Sequence, residues 1–391
     1  MTHLKGIGWA NLAALALGLL VSCSHIPLPA PPQTGSFPAP MSLPAQPPMV
    51  ATEQPALTLW RGNSKWVAAS WSDLPGFETD VLFEAWNAFL KSCERPGLVF
   101  APLCSEIRRL SIADATTQRE WLQERLQPYR VEPLQEPGAG GLLTAYFEPE
   151  YAARRLPDSV FNVPVYQVPA GLKAGKAWFS RRDIDTLAEP QAALRGREIV
   201  FLADPVQALI LQIQGSGRVR VTEPDGGQRL VRLAYAGNNG QPYQSIGRWL
   251  IDQGELRDAS WPGIQGWIAQ HPQLLTELLW RNPRVVFFKE EPLGDFDAAF
   301  GPRGAQGVPL TPGRSIAVDP DSIPYGTPVW LASRGSTAVL ERLVLAQDTG
   351  SAITGALRAD FFVGWGEQAG ELAGRLKQPL RLWVLWPKQP R

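Results

Sequence analysis

The stretch LERLVLAQDTGSAITGALRADFFVGWG, residues 340–366, decides how the chain is read. LERLVLAQ is strand-like, and Asp348 closes it, followed at once by Thr349, Gly350 and Ser351, a turn composition that lifts a side chain off a sheet edge. Asp360 lies twelve positions on (360 − 348), between Arg358 and the aromatic pair Phe361 and Phe362. An acid among apolar neighbours with one cation nearby can have its pKa pushed upward by desolvation, the condition for a general acid working near neutral pH. The plainer reading has both aspartates capping turns and Arg358 pairing with one of them.

Working outward, the same texture of short β-prone runs extends back along the chain. LLTAYFEP, VPVYQVP, REIVFLA, ALILQIQ, RVRVTE and QRLVRLAYAG are separated by Gly, Pro and Asp, and RVVFF, RSIAV, PVWLA and LRLWVLW follow them. Several short strands with turn signals at regular spacing predict a mainly β barrel or sandwich rather than a parallel α/β sheet. Helices are expected over 78–92, 116–126, 245–253, 262–280 (broken at His271-Pro272) and 367–377.

The N-terminal 56 residues read as an address and a tether. Lys5, the apolar run Trp9 to Val21 and the closing Leu20-Val21-Ser22-Cys23 form a signal segment too short to be a permanent span. That tetrapeptide is similar to a lipobox, so residues 1–22 are expected to be removed and Cys23 lipidated; an ordinary secretory signal with an incidental Cys is the alternative. Ser24 after the Cys resembles the sorting signal of outer-membrane lipoproteins facing the periplasm. Residues 23–56 are dense in proline and nearly uncharged, and are expected to run as an extended tether.

The rest is long enough for two domains. The whole chain carries 37 basic and 37 acidic residues, a balance that gives no reason to expect nucleic acid. Histidine is limited to His3, His25 and His271, which argues against a zinc or His-based catalytic site, and no metal or cofactor is expected. Cys93 and Cys104, eleven positions apart (104 − 93), read in an exported protein as a disulfide, two buried thiols being the alternative. The 15 Trp supply flat apolar faces of the kind that cover sugar C–H groups, although most Trp in any domain is core.

Three polar clusters accompany the aspartates. Gln212, Gln214, Ser216 and Gly217 follow an apolar run, and strand alternation would put both amides on one face. Tyr235, Asn238, Gln241 and Tyr243 belong to a neutral, amide-rich loop, and Thr144 and Tyr146 lie in LLTAYFEPE. Each reads alone as a turn or cap with local hydrogen bonds. Together, uncharged hydrogen-bonding groups and aromatics fit a neutral polysaccharide better than a phosphate or a peptide.

LTAYFEPE, QIQGSGR, YAGNNGQPYQSIGRWL, NPRVVFF, GVPLTPGRSIAVDPDSIPYGTPVWL and AQDTGSAITGALRADFFVGWG, in that order and spacing, resemble the membrane-bound lytic murein transglycosylase A family over about 60 to 390. The resemblance implies a double-psi β-barrel domain from 57–148 plus 291–391, a second β-barrel domain inserted over 149–290, and glycan in the groove between them. It implies an exolytic enzyme that cuts the β-1,4 bond between N-acetylmuramic acid and N-acetylglucosamine and forms 1,6-anhydromuramic ends. Asp360 would be the catalytic acid and base, Asp348 its supporting partner, and Asp319 structural. The implied partners are peptidoglycan strands, outer-membrane lipid through Cys23, and other cell-wall enzymes. Ser351 and Thr354 depart from the family pattern, which has Gly and commonly Lys there. A hydrolytic muramidase and a non-catalytic wall-binding lipoprotein are the rival readings.

Overall fold

Alternating burial writes two cores into the same strands. The computed structural model describes residues 57–388 except 136–139, 174 and 258, so the signal segment, Cys23 and the tether lie outside the described residues. In chain order the strands are β1 (Thr58–Arg61), β2 (Ser64–Ala68), β3 (Leu126–Pro133), β4 (Gly141–Glu148), β5 (Glu150–Arg154), β6 (Val163–Tyr166), β7 (Glu198–Leu202), β8 (Ser216–Thr222), β9 (Gln228–Asn238), β10 (Val286–Pro292), β11 (Ser315–Val318), β12 (Pro328–Arg334), β13 (Val339–Asp348), β14 (Arg358–Trp365) and β15 (Lys377–Pro387).

The larger sheet runs β1-β2-β3-β15-β12-β13-β11-β14-β4, and an additional β15–β4 pairing joins its last strand back to an inner one. Six strands, β4, β15, β12, β13, β11 and β14, therefore close a ring, which leaves no free edge among them. On β15, Leu380, Leu382 and Val384 point into the ring with Val329, Leu331, Val344, Ala346, Ala359 and Phe361. The alternate residues Trp383 and Leu385 join Trp330, Leu343 and Leu345 under Leu82, Trp86, Phe89, Ile107 and Trp121 of the helices Leu82–Ser92, Cys104–Arg109 and Ala115–Arg125. Burial on both faces explains why these strands read as almost continuous apolar runs.

The smaller sheet runs β10-β9-β8-β5-β7-β6, and its edge strands β6 and β10 approach within 8 Å between Cα atoms. Its core of Val165, Val200, Leu202, Val219, Val221, Val231, Leu233 and Phe288 is covered by Ala208 and Leu211. Those two belong to the helix Pro205–Gln214, where the sequence reading expected a strand over ALILQIQ. The helix has its own start and stop: Asp204 accepts from the Val206 N–H, Pro205 sits in the first turn, and Gly215 (φ 79°) ends it in the left-handed region. A seven-residue apolar run cannot by itself be told apart as strand or buried helix. The β1–β2 hairpin and β14 were likewise not among the expected strands.

Candidate active site

The register across the barrel wall lines up one row of side chains. Ala317 of β11 pairs with Asp348 of β13 on one side and with Asp360 of β14 on the other, and Asp360 pairs in turn with Thr144 of β4. Along these strands Leu143, Ile316, Val318, Ala359 and Phe361 face the barrel core, so Thr144, Ala317 and Asp360 face outward. Strand parity alone would put Asp348 on the inner face with Val344 and Ala346. A bulge corrects this: the β11–β13 register steps from Ile316↔Ala346 to Ala317↔Asp348, leaving Gln347 as the extra residue. Two interstrand steps, about 10 Å between Cα atoms, separate the two aspartates.

Gln347 anchors that bulge. Fully buried, its amide accepts from the Ser315 hydroxyl (2.5 Å) and donates to the Ala88 carbonyl (2.9 Å) and to Ser92 Oγ (2.8 Å) at the end of the Leu82–Ser92 helix. Cys93, bonded to Cys104 with a Cα separation of 5.6 Å, follows that helix directly.

The two carboxylates have different shells. The Tyr146 hydroxyl donates to Asp348 Oδ2 (2.9 Å) and the Ala305 N–H to Oδ1 (2.9 Å). Burial pushes the Asp348 carboxyl above the usual range, opposed by the Thr349 N–H, Tyr146 and Ala305 and reinforced by the Asp360 charge. Thr144 Oγ1 donates to Asp360 Oδ1 (2.5 Å) and itself accepts from Arg358 Nη2 (2.8 Å). Burial raises the Asp360 carboxyl as well, against Thr144 and the Arg358 guanidinium. Burial also drives the Tyr146 phenol well above its ordinary value, so it stays a hydrogen donor to Asp348. Asp319 acts elsewhere, its carboxylate accepting from the Asp321 N–H (3.0 Å) and the Gly355 N–H (2.7 Å) and so pinning the 351–356 loop to the turn after β11.

A cleft of about 530 Å3 opens over Asp348 and Tyr146. Of the residues expected to act at the site, Gln212, Gln214, Ser216 and Tyr235 join Tyr146 and Asp348 in its lining, whereas Thr144 and Asp360, bonded to each other, do not line it. The two glutamines arrive from the end of a helix, not by strand alternation, and each already has a partner: Gln212 accepts from Arg181 (2.7 Å) and Gln214 from the Phe147 N–H (3.0 Å). Gly217, Asn238, Gln241 and Tyr243, also expected from the sequence to bind substrate, are not among the residues that line the cleft. Gly217 is a packing position, where a Cβ would meet Leu211 at 2.5 Å. Asn238 accepts from the Gly240 N–H (2.8 Å), Gln241 donates to the Trp178 carbonyl (2.6 Å), and Tyr243 is exposed.

Sequence reasoning missed the charged wall, Arg284, Lys289, Glu291 and Arg303, and the 302–305 segment. Lys289 and Glu291 alternate on β10, a signal that was present but unremarkable for any sheet surface. The Ala305 amide carries no signal in a side-chain alphabet at all.

The fold and site thus define a mainly β protein of two sheets with two outward carboxylates of raised pKa, Asp348 lining a cleft and Asp360 set back from that lining beside Thr144. The MltA specific insert domain model matches residues 142–289 and the 3D domain model matches residues 314–386. The membrane-bound lytic murein transglycosylase A of Vibrio cholerae is 36% identical over 256 residues, 62% of this chain and 65% of that protein, just under two thirds of its length. The protein of the same name from Escherichia coli K12 is 32% identical over 289 residues, covering 68% of this chain and 74% of that one. A solved structure of E. coli MltA with bound chitohexaose superposes with a TM-score of 0.65 at 25% identity, over 86% of this chain and 95% of that one. The chain belongs to the membrane-bound lytic murein transglycosylase A family.

Proposed function

We propose that this protein is a peptidoglycan lytic transglycosylase that cuts the β-1,4 bond between N-acetylmuramic acid and N-acetylglucosamine, with Asp360 as its single acid and base. The observation that carries the reading is the pair of unlike carboxylates in one outward row. Burial raises both, but Asp360 has one hydroxyl donor, which leaves it suited to holding a proton, whereas Asp348 has three donors suited to holding charge.

Protonated Asp360 gives its proton to the glycosidic oxygen as the C1–O bond breaks and positive charge develops at C1. Ionised Asp348 stabilises that charge. The Asp360 carboxylate then takes the proton of the muramic C6 hydroxyl as O6 bonds to C1, closing the 1,6-anhydro ring and returning Asp360 to its starting form. The attacking oxygen belongs to the substrate, so neither an enzymatic nucleophile nor an activated water is required, unlike the two-carboxylate hydrolases. Intramolecular attack also carries a proximity advantage of about several kcal/mol in good geometry.

On this reading residues 57–148 with 291–391 form the catalytic domain and 149–290 the inserted domain that supplies the far wall. Gln212, Gln214, Ser216 and Tyr235 hold the glycan there, a role supported by their place in the cleft. The chain is anchored to the outer membrane by acylated Cys23; among the described residues no helix is long and apolar enough to cross a membrane.

Digestion of purified sacculi with mass analysis of the fragments tests this reading. Anhydro ends, one water lighter than reducing ends, are expected, with Asp360→Asn inert and Asp348→Asn still active but slowed by more than about tenfold. Reducing muramic ends would establish a hydrolase instead, and sedimentation with murein without release of fragments would establish a binder.

A further inference from the structure

Behind the cleft lies a charged cluster that the catalytic steps leave unused. Glu148, at the end of β4, is fully buried, and Arg218 of β8 and Arg232 of β9 are 3% and 6% exposed. Arg218 and Arg232 sit opposite each other in the β8–β9 register. Arg218 Nε donates to Glu148 Oε2 (2.8 Å) and Arg232 Nε to Oε1 (2.6 Å). Both arginines also donate through Nη2 to one main-chain acceptor, the Phe300 carbonyl, at 2.9 and 2.7 Å. Arg218 is stacked 3.7 Å from the ring centroid of Trp365, the last residue of β14 and the register partner of Glu148.

Three of the segments that shape the site meet this cluster. β4 carries Thr144 and Tyr146 before reaching Glu148, and β14 carries Asp360 before reaching Trp365. Phe300 opens the segment that runs on to Ala305, whose N–H meets Asp348. That segment is fitted closely: a Cβ on Gly304 would meet the Gln347 carbonyl at 2.5 Å, and one on Gly301 the Phe362 ring at 2.4 Å.

We propose that Arg232 and Arg218 are positioning residues for Asp348: by gripping the Phe300 carbonyl from two sides they set the 300–305 segment so that the Ala305 N–H is aimed at the carboxylate. The inference rests on the catalytic reading of Asp348 given above. Fold stability alone does not account for the arrangement, since buried ion clusters are commonly replaced by apolar side chains without loss. Apolar side chains would not hold a carbonyl.

The Ala305 N–H favours the ionised form of Asp348, and the other titratable groups facing it are Tyr146, Asp360 and Tyr325, with Arg284, Arg303, Lys289 and Glu291 in the cleft wall. Losing the amide raises the pH at which Asp348 becomes protonated. Arg232→Lys keeps the charge opposite Glu148 but cannot reach both acceptors. It is expected to lower kcat on sacculi about tenfold with KM within about twofold, and to move the acidic limb of the kcat profile up by about half a pH unit. Amide hydrogen exchange at Ala305 should accelerate at least about tenfold while the amides of β12 keep their rates. Arg218→Lys, which leaves the Arg232 bonds in place, carries the same expectation should Arg232→Lys not fold. A folded variant with unchanged acidic limb and unchanged Ala305 exchange overturns the proposal. Accelerated exchange in an enzyme whose wild type yields no anhydro ends would instead overturn the catalytic reading and leave the grip intact.

Discussion

Asp360 is held in conflict between burial, which favours its acid, and two neighbours, Thr144 and Arg358, which favour its anion. Thr144→Val removes the hydroxyl donor and leaves burial less opposed, so the Asp360 pKa rises further. With Asp360 acting in its protonated form, as proposed above, the alkaline limb of kcat is expected to move to higher pH by about half a unit. A pH–rate series on sacculi checks this, and a shift to lower pH would contradict it. The same conflict has a stability consequence. A carboxyl whose folded pKa is raised favours folding fully below its unfolded value, about 3.9, and loses that contribution as pH rises through the folded value. At pH 7 the Asp360 anion is therefore a burden on the fold. Asp360→Asn should raise Tm at pH 7 by about 1–3 °C, the gain fading toward pH 4. Thermal scans at both pH values measure it; a Tm below wild type at pH 7 would show that Asp360 is held mainly by its partners.

At the scale of elements, the bulge in β13 and the helix behind it set the outward aim of Asp348. Gln347 hangs from Ala88 and Ser92, and Cys93 locks the next position to Cys104. Closing a loop of this length restricts the unfolded chain by about 2–3 kcal/mol. Reduction, or the Cys93→Ala/Cys104→Ala pair, is expected to lower Tm by about 3–5 °C for a chain of this size. Scans with and without reductant decide it, and an unchanged Tm would mean that the helices hold this corner unaided. The expected helices over 78–92, 116–126, 245–253 and 367–377 are close to Leu82–Ser92, Ala115–Arg125, Ile246–Asp252 and Gly366–Arg375. They were legible because their apolar spacing and stops are local. ALILQIQ was misread because its helix is decided by Asp204, Pro205 and Gly215 outside the apolar run.

At the scale of the molecule, a ring of six strands supplies a rigid wall, and the smaller sheet faces it with the amides and charges of the cleft. If Cys23 is the anchor, Cys23→Ala should move the protein from the membrane pellet to the soluble fraction with its sacculus-cleaving activity intact. Fractionation and assay of both pools measure this, and a variant that remains in the pellet would rule out the acylated cysteine as the attachment.

The sequence by itself determined the mainly β class, the two aspartates singled out as candidates, the near absence of histidine, and the paired cysteines. Those follow from residue identity and from periodicities of a few positions. Only the tertiary structure decided which groups meet. Thr144 and Asp360 are 216 residues apart, and Tyr146 and Asp348 are 202 apart, joined because β11 lies between the strands that carry the acids and β4 flanks β14 on its other side. The bulge at Gln347, the Ala305 amide and the double grip on Phe300 are equally invisible in one dimension. They depend on main-chain groups, which every residue has, and on closure of a ring, which no local stretch encodes.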